Sequence, residues 1–377
     1  MSIRQMFPGS IVKPGFNPLA AQTPSYTYNL FSWGRGRSGP LGLGTQTDYS
    51  SPVQVGALTD WFVISSGGEF STAIKTNGTL WTWGKNNIGQ LGLGNTTYYS
   101  SPKQVGALTT WLRVSAGYYA TYAIKTDGTL WSWGDGGAGR LGLGNTTSYS
   151  SPKQIGALTS WSYVSGGYFH ALAIKTDGTL WSWGNGVKGG LGLGNITSYS
   201  SPKQVGVLTN WLRITSGYST NQSIKTDGTR WAWGNNDAGQ LGVGNTTNYS
   251  SPKQVGALTT WYKVDCGVYR LTVSTKTDGT LWTNGNNQHG QLGLGNITYY
   301  SSPKQVGSLT NWLNITAGAY YMCATKTDGT LWSWGQNTRG QLGLGNTTNR
   351  SSPNQVGSLT TWSDVVAGYD ANLSLAY

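Results

Sequence analysis

Between Ser100 and Thr147 the chain reads SSPKQVGALTTWLRVSAGYYATYAIKTDGTLWSWGDGGAGRLGLGNTT, and its apolar residues follow no helical period. Residues 111–115, 121–125 and 130–133 are short mixed runs rich in β-branched and aromatic side chains, bounded by Gly, Asn, Asp, Ser or Pro, which predicts strands. Thr126-Asp127-Gly128-Thr129 separates the last two. Its Asp-Gly pair supplies the positive φ angles of a two-residue hairpin turn. Gly142 and Gly144 then break the path, and Ser151-Pro152 opens the next copy. Three or four antiparallel strands per ~50 residues make one sheet, and a lone sheet cannot bury its two faces.

The unit recurs along the chain. Its proline stands at Pro52, Pro102, Pro152, Pro202, Pro252, Pro303 and Pro353, five steps of 50 residues and one of 51. Seven copies of the LT-x-W segment carry Trp61, Trp111, Trp161, Trp211, Trp261, Trp312 and Trp362. With the W-x-W-G strands, and with Trp282 and Trp33 from the two deviating copies, these account for all 19 tryptophans. The last copy stops where the others turn at Asp-Gly, and Leu30-Phe31-Ser32-Trp33-Gly34 is the strand that follows such a turn. The two fragments make one blade. The predicted fold is an all-β, closed seven-bladed β-propeller over residues 26–377, an N-terminal strand completing the C-terminal blade and hiding the edges of an open array.

The segment GYYATYAIKTDGTLWSWGDGGAGRLGLGN resembles the repeat of the regulator of chromosome condensation family, which are seven-bladed propellers. The family's frequent His after the glycine is nearly absent, with Phe70, Tyr119, Phe169, Ser219, Tyr269 and Tyr320 nearby. The resemblance implies that members acting as guanine-nucleotide exchange factors carry a wedge insertion. No copy here has an insertion longer than one residue, which argues against that activity. The opening MSIRQMFPGSIVKPGFNPLAAQTPSYTYNLFSWG, with the near-identical repeats, is similar to open reading frames of marine bacteriophages.

Residues 1–25 are punctuated by Pro8, Pro14, Pro18 and Pro24 and hold seven large apolar residues, many for a linker, so they read as an extended docking arm toward other virion proteins. No Sec signal and no apolar run of membrane-spanning length is present, so a virion location would follow synthesis in the host cytoplasm. The net charge of +12 invites a nucleic-acid reading, but 11 of the 25 basic residues occupy two repeat positions. Rotation spreads them around the ring instead of gathering a stripe, which argues against a nucleic-acid partner. Cys266 and Cys323 form no disulfide framework.

Little chemistry is encoded. His170 and His289 lie at different repeat positions without a metal-ligand partner and read as surface or loop residues. Glu69 is the only glutamate, and five aspartates shape turns. No catalytic residue, cofactor or metal is expected. The positions that vary between copies follow the repeat glycine and follow Trp-Gly. The first set, Phe70, Tyr118, Tyr119, Tyr168, Phe169, Tyr218, Tyr269, Arg270, Tyr320, Tyr321 and Tyr369, would form an aromatic rosette at one end of the propeller. Tyr and Arg carry much of the energy of protein interfaces, and Tyr stacks on sugar rings. The second set includes Arg35, Arg37, Lys85, Arg140, Lys188, His289 and Arg339. The irregular copy, with an extra residue before Lys276 and Asn284 in place of tryptophan, would accommodate the insertion as a bulge that re-aims Arg270. These features predict a non-enzymatic binding or structural protein, a phage tail or fibre propeller facing a host-surface glycan or protein. The alternative is a soluble bacterial protein-binding propeller, inhibitor-like or lectin-like.

Overall fold

Turn chemistry sets the strand lengths. The structure is a computed structural model that describes residues 27–377. In the turn at residues 126–129 only Gly128 is left-handed, at φ +76°. Asp127 does not adopt positive φ. Its Oδ1 accepts hydrogen bonds from the backbone N–H of Thr129 at 2.9 Å and from its hydroxyl at 2.6 Å. Thr129 Oγ1 in turn accepts from the indole N–H of Trp131 at 2.8 Å. The turn closes through the backbone as a three-residue loop, Gly128 N–H donating to Lys125 O at 2.9 Å and Lys125 N–H to Thr129 O at 3.0 Å, so one left-handed residue suffices and the Asp–Thr–Trp relay braces it. The same relay is built on Asn77, Asp177, Asp227, Asp278 and Asp328.

Blade 1 consists of β3 (Trp61–Ser66), β4 (Phe70–Lys75), β5 (Leu80–Gly84) and β6 (Tyr99–Gln104), paired antiparallel in that order. Blades 2 to 6 repeat it, for example as β7 (Trp111–Ala116), β8 (Ala120–Lys125), β9 (Leu130–Gly134) and β10 (Tyr149–Gln154) in blade 2. The Ser-Pro pair lies inside the fourth, outermost strand of its own blade and does not open the next one. An edge strand tolerates proline because its outer N–H positions have no ladder partner.

Blade 7 is composite. β1 (Asn29–Gly34) and β2 (Tyr49–Gln54) join β27 (Trp362–Ala367) and β28 (Ala371–Ala376) in the order β2-β1-β28-β27. Two N-terminal strands thus close the ring, with β1 and β28 in register from Asn29 opposite Ala376 to Gly34 opposite Ala371. The rings of Tyr28 and Tyr377 lie 5.1 Å apart beside this pairing. The expected docking arm lies outside the described residues.

The core runs between blades. Trp111 and Trp133 of blade 2 pack with Ile74, Leu80 and Val105 of blade 1, and the innermost W-x-W-G indoles are fully buried. The outer tryptophans are half-buried under a lysine ammonium, as with Lys125 Nζ 3.8 Å from the centre of Trp131. The other repeated lysine sits over a tyrosine, as with Lys103 at 5.5 Å from Tyr99. Repeated positive charge is therefore held on aromatic faces around the ring. Cys266 and Cys323 are free and buried.

Strand direction defines two ends. The links from first to second and from third to fourth strands lie at one end; the Asp-Gly turns and the Gly-Ala-Leu-Thr connections lie at the other.

Candidate functional site

Both variable sets fall at the first of these ends. Four of the loops after the repeat glycine are tied to the next blade by the backbone: Tyr118 N–H donates to Gly167 O at 3.2 Å, Tyr168 N–H to Gly217 O at 3.0 Å, Tyr369 N–H to Gly67 O at 3.1 Å and Ala319 N–H to Tyr369 O at 3.2 Å. These bonds aim the following side chains at the axis. Tyr118 stacks on Tyr168 at 4.0 Å, and Tyr168 meets Tyr218 at 4.6 Å. Tyr118 also touches Tyr369 edge-on at 5.5 Å, Tyr369 touches Tyr269 at 5.6 Å, and Tyr269 stacks on Tyr320 at 4.6 Å. Six rings from six blades form one continuous aromatic chain over the axis. Tyr119 and Phe169 flank it, with Tyr119 and Tyr168 hydroxyls 3.2 Å apart and those of Tyr269 and Tyr369 2.9 Å apart.

Blade 1 contributes no ring. Its loop has Gly68, where a Cβ would lie 2.6 Å from the carbonyl oxygen of Tyr118 and 3.2 Å from its ring. The missing side chain is what lets Tyr118 lean across toward Tyr369.

Two of the expected site residues are elsewhere. Phe70 and Tyr321 open the second strands of their blades and are fully buried, Tyr321 donating to Ala371 O at 3.2 Å. They stand one residue beyond the loop, where the pleat turns the side chain between blades. His170 occupies the same position. It is not a surface residue but 1% exposed, with Nε2 2.6 Å from Asn221 Oδ1. Burial pushes its pKa down to about 4.

The tyrosines stay half-buried, and Tyr218 is 37% exposed. Burial first, then neighbouring tyrosines, pushes the hydroxyls of Tyr118, Tyr168 and Tyr369 well above the ordinary phenol range. The face is therefore uncharged at its centre. Around it Arg35 bridges Glu69 at 3.7 Å and Asp370 at 3.6 Å, Lys85 pairs with Glu69 at 2.8 Å, and Arg140 pairs with Asp135 at 3.1 Å. The extra residue of blade 5 is absorbed in the turn before its second strand (Leu271–Lys276), with Arg270 left-handed at φ +62° and 3.8 Å from Asp237. The pairing of that strand with the next, Leu281–Gly285, shows no register shift, so the insertion makes no bulge in the ladder.

This arrangement offers flat neutral rings with phenol hydroxyls inside a ring of paired charges. No group of three or more potential metal-ligating side chains occurs among the described residues. Asp265, a buried carboxylate, accepts from Thr215 Oγ1 at 2.6 Å and Ala317 N–H at 2.9 Å, doing the joining work that Ser65 and Ser115 do between other blades. A shallow flank groove of about 420 Å³ is lined by Trp111, Trp131 and Lys125, but the lysine already covers the indole.

A family model for the RCC1-like domain matches residues 29–374. The chain belongs to the RCC1-like domain family. Its fold superimposes on a structure of Kap60 bound to yeast RCC1 (Prp20), with a TM-score of 0.86, 18% identity and coverage of 97% of this chain and 92% of that one. Prp20p from Saccharomyces cerevisiae, described with its binding properties to Gsp1p and histones, gives a TM-score of 0.84 at 19% identity, covering 97% of this chain and 95% of that one. Human WBSCR16 gives 0.82 at 22% identity, covering 93% and 98%. No curated protein matches the sequence. At these identities the likeness is one of fold.

Sequence reasoning reached the loop residues by comparing copies. It passed over Arg113, Arg213 and Lys263 in the innermost strands, which resemble ordinary strand residues. Their signal was weak: the third residue of the W-x-x strand changes in nearly every copy, but the second varies too, among Phe, Leu, Ser and Tyr.

Proposed function

We propose that this RCC1-like propeller is a non-enzymatic binding protein, carried on a phage virion as a tail or fibre component, that presents its aromatic end to a host-surface glycan or protein. The observation behind this reading is the continuous chain of six half-buried rings over the axis. Such rings give large contact area at low entropic cost, and their CH-accepting faces suit sugars and proline or aromatic side chains. The partners named for the yeast relatives, Kap60, Gsp1p and histones, support use of the fold for binding. The virion assignment is supported by the resemblance of residues 1–34 to phage reading frames.

Mass spectrometry of purified virions tests the location, and a bacterial glycan array and cell adsorption test the face. Tyr118→Ala combined with Tyr168→Ala is expected to lower adsorption at least tenfold. Because these rings pack mainly on each other, melting should fall by no more than about 5 °C. Undiminished adsorption by the double variant would sink the assignment of the face. Absence from virions with binding retained would favour the soluble protein-binding alternative.

A further inference from the structure

Beneath the aromatic chain the seven innermost strands surround the axis. Their third residues form one tier. Blade 1 supplies Val63, blade 2 Arg113, blade 3 Tyr163, blade 4 Arg213, blade 5 Lys263, blade 6 Asn314 and blade 7 Asp364. The tier thus holds three cations and one carboxylate.

The cations are unequally satisfied. Lys263 Nζ donates to Asn314 Oδ1, and Asn314 Nδ2 donates to Ser363 O at 2.7 Å. Asp364 is the carboxylate whose charge supports Lys263. Among the described residues neither Arg113 nor Arg213 has a carboxylate partner. Arg113 lies 5.4 Å over the ring of Tyr163, and Arg213 lies 5.4 Å over Tyr262. Nε of Arg113 and both Nε and Nη2 of Arg213 are shut off from solvent without an acceptor. Desolvation lowers the pKa of each guanidinium, and the charge of Arg113 adds to the cost at Arg213. Arg213 likewise lowers Lys263. Buried donors left unpaired beside like charges are costly, and the relief available is an anion. A guanidinium's planar fork of donors matches the edge of a tetrahedral oxyanion, and two forks flanking a phenol would bind one from three sides.

We propose that this tier is an anion site, in which Arg113, Tyr163 and Arg213, with Lys263 behind them, hold a phosphate-sized oxyanion inside the axial channel. The tyrosine chain lies over the far end of the same strands, so the anion enters from the end bearing the Asp-Gly turns. The site is separate from the aromatic face and does not depend on its role.

The test is thermal melting and isothermal calorimetry of the purified chain with inorganic phosphate or glycerol 3-phosphate, against sodium chloride at equal ionic strength. Wild-type protein is expected to show saturable binding of one equivalent and a rise in Tm of several degrees at millimolar ligand. A response to inorganic phosphate alone identifies a free ion; an equal or larger response to glycerol 3-phosphate identifies a phosphoryl group on a larger molecule. Arg113→Gln and Arg213→Gln, singly and together, should fold, because each removes an unpaired buried charge. The double variant should melt at or above wild type without ligand and lose the ligand-dependent rise. Tyr118→Ala with Tyr168→Ala should keep it. Absence of a saturable response in wild type, or an equal response in the double arginine variant, would overturn the proposal.

Discussion

A single side chain can carry a pH dependence when the fold removes it from water. His170 is enclosed at the start of its strand, and the environment holds its pKa at about 4 against 6.5 in the open chain. A depressed folded pKa means the unfolded chain takes up the proton first. The stability this contributes is complete above pH 6.5 and is lost as pH falls through about 4, at most about 3 kcal/mol. Replacing His170 with Leu, the residue type at the matching position 271, should flatten that part of the Tm–pH profile while leaving Tm near pH 7.5 within a few degrees. A profile of unchanged slope between pH 6.5 and 4 would show that His170 is not its source. Half of the residue-scale picture could be read from the copies. Tyr118 and Tyr168 vary in a loop and face outward; Phe70, His170 and Tyr321 vary just as much, but one pleat step turns them inward.

Between neighbouring blades, two departures from the repeat compensate each other. Where other copies have leucine at the start of the third strand, blade 4 has Arg230; where they have the buried indole, blade 5 has Asn284. Asn284 Nδ2 donates to Gln240 O at 2.9 Å, the bond that Trp183 Nε1 makes to Arg140 O at 2.8 Å elsewhere. Arg230, 0% exposed, occupies the vacated region. It donates to Asn284 Oδ1 at 3.1 Å, Gln222 Oε1 at 3.0 Å and Ser274 Oγ at 3.2 Å, and lies 5.3 Å over Trp261. Burial lowers its pKa to about 9. Asn284→Trp alone should overpack this seam and Arg230→Leu alone should strand Asn284, each costing about 1–3 kcal/mol. The double substitution should recover most of the loss, giving a coupling of about 1–3 kcal/mol in a denaturation cycle. Additive effects would mean the two changes are unrelated drift. The sequence exposed both departures, but they lie 54 residues apart, and only the packing of adjacent blades makes them a pair.

At the scale of the whole molecule, closure is the stabilising event, because every blade buries its faces on neighbours and an open end would leave one sheet half covered. Ala376 and Asn29 already stand opposite each other as Lys125 and Thr129 do at the ends of an internal hairpin. Joining Tyr377 to Asn29 through an inserted Asp-Gly would therefore recreate the repeat's own turn. A circular permutant made this way, opened in the connection at residues 56–59, should melt in one cooperative calorimetric transition. Removal of everything through Gln54, which takes β1 and β2 from blade 7, should abolish that transition. Two well-separated transitions in the permutant would show that the ring does not behave as one unit.

What the amino-acid order determined alone was the ring: the strand runs, the Asp-Gly turns, the number of copies and the split copy at the two ends. Each is local or nearest-neighbour information, repeated often enough to be unmistakable. What only the tertiary structure decided is what happens at the axis. Tyr269 reaches Tyr369 past an intervening blade, and Arg113, Arg213 and Lys263 share one tier although 150 residues separate the first from the last. These meetings depend on the radius at which seven sheets close, a property of how indoles pack between blades and not of any single segment.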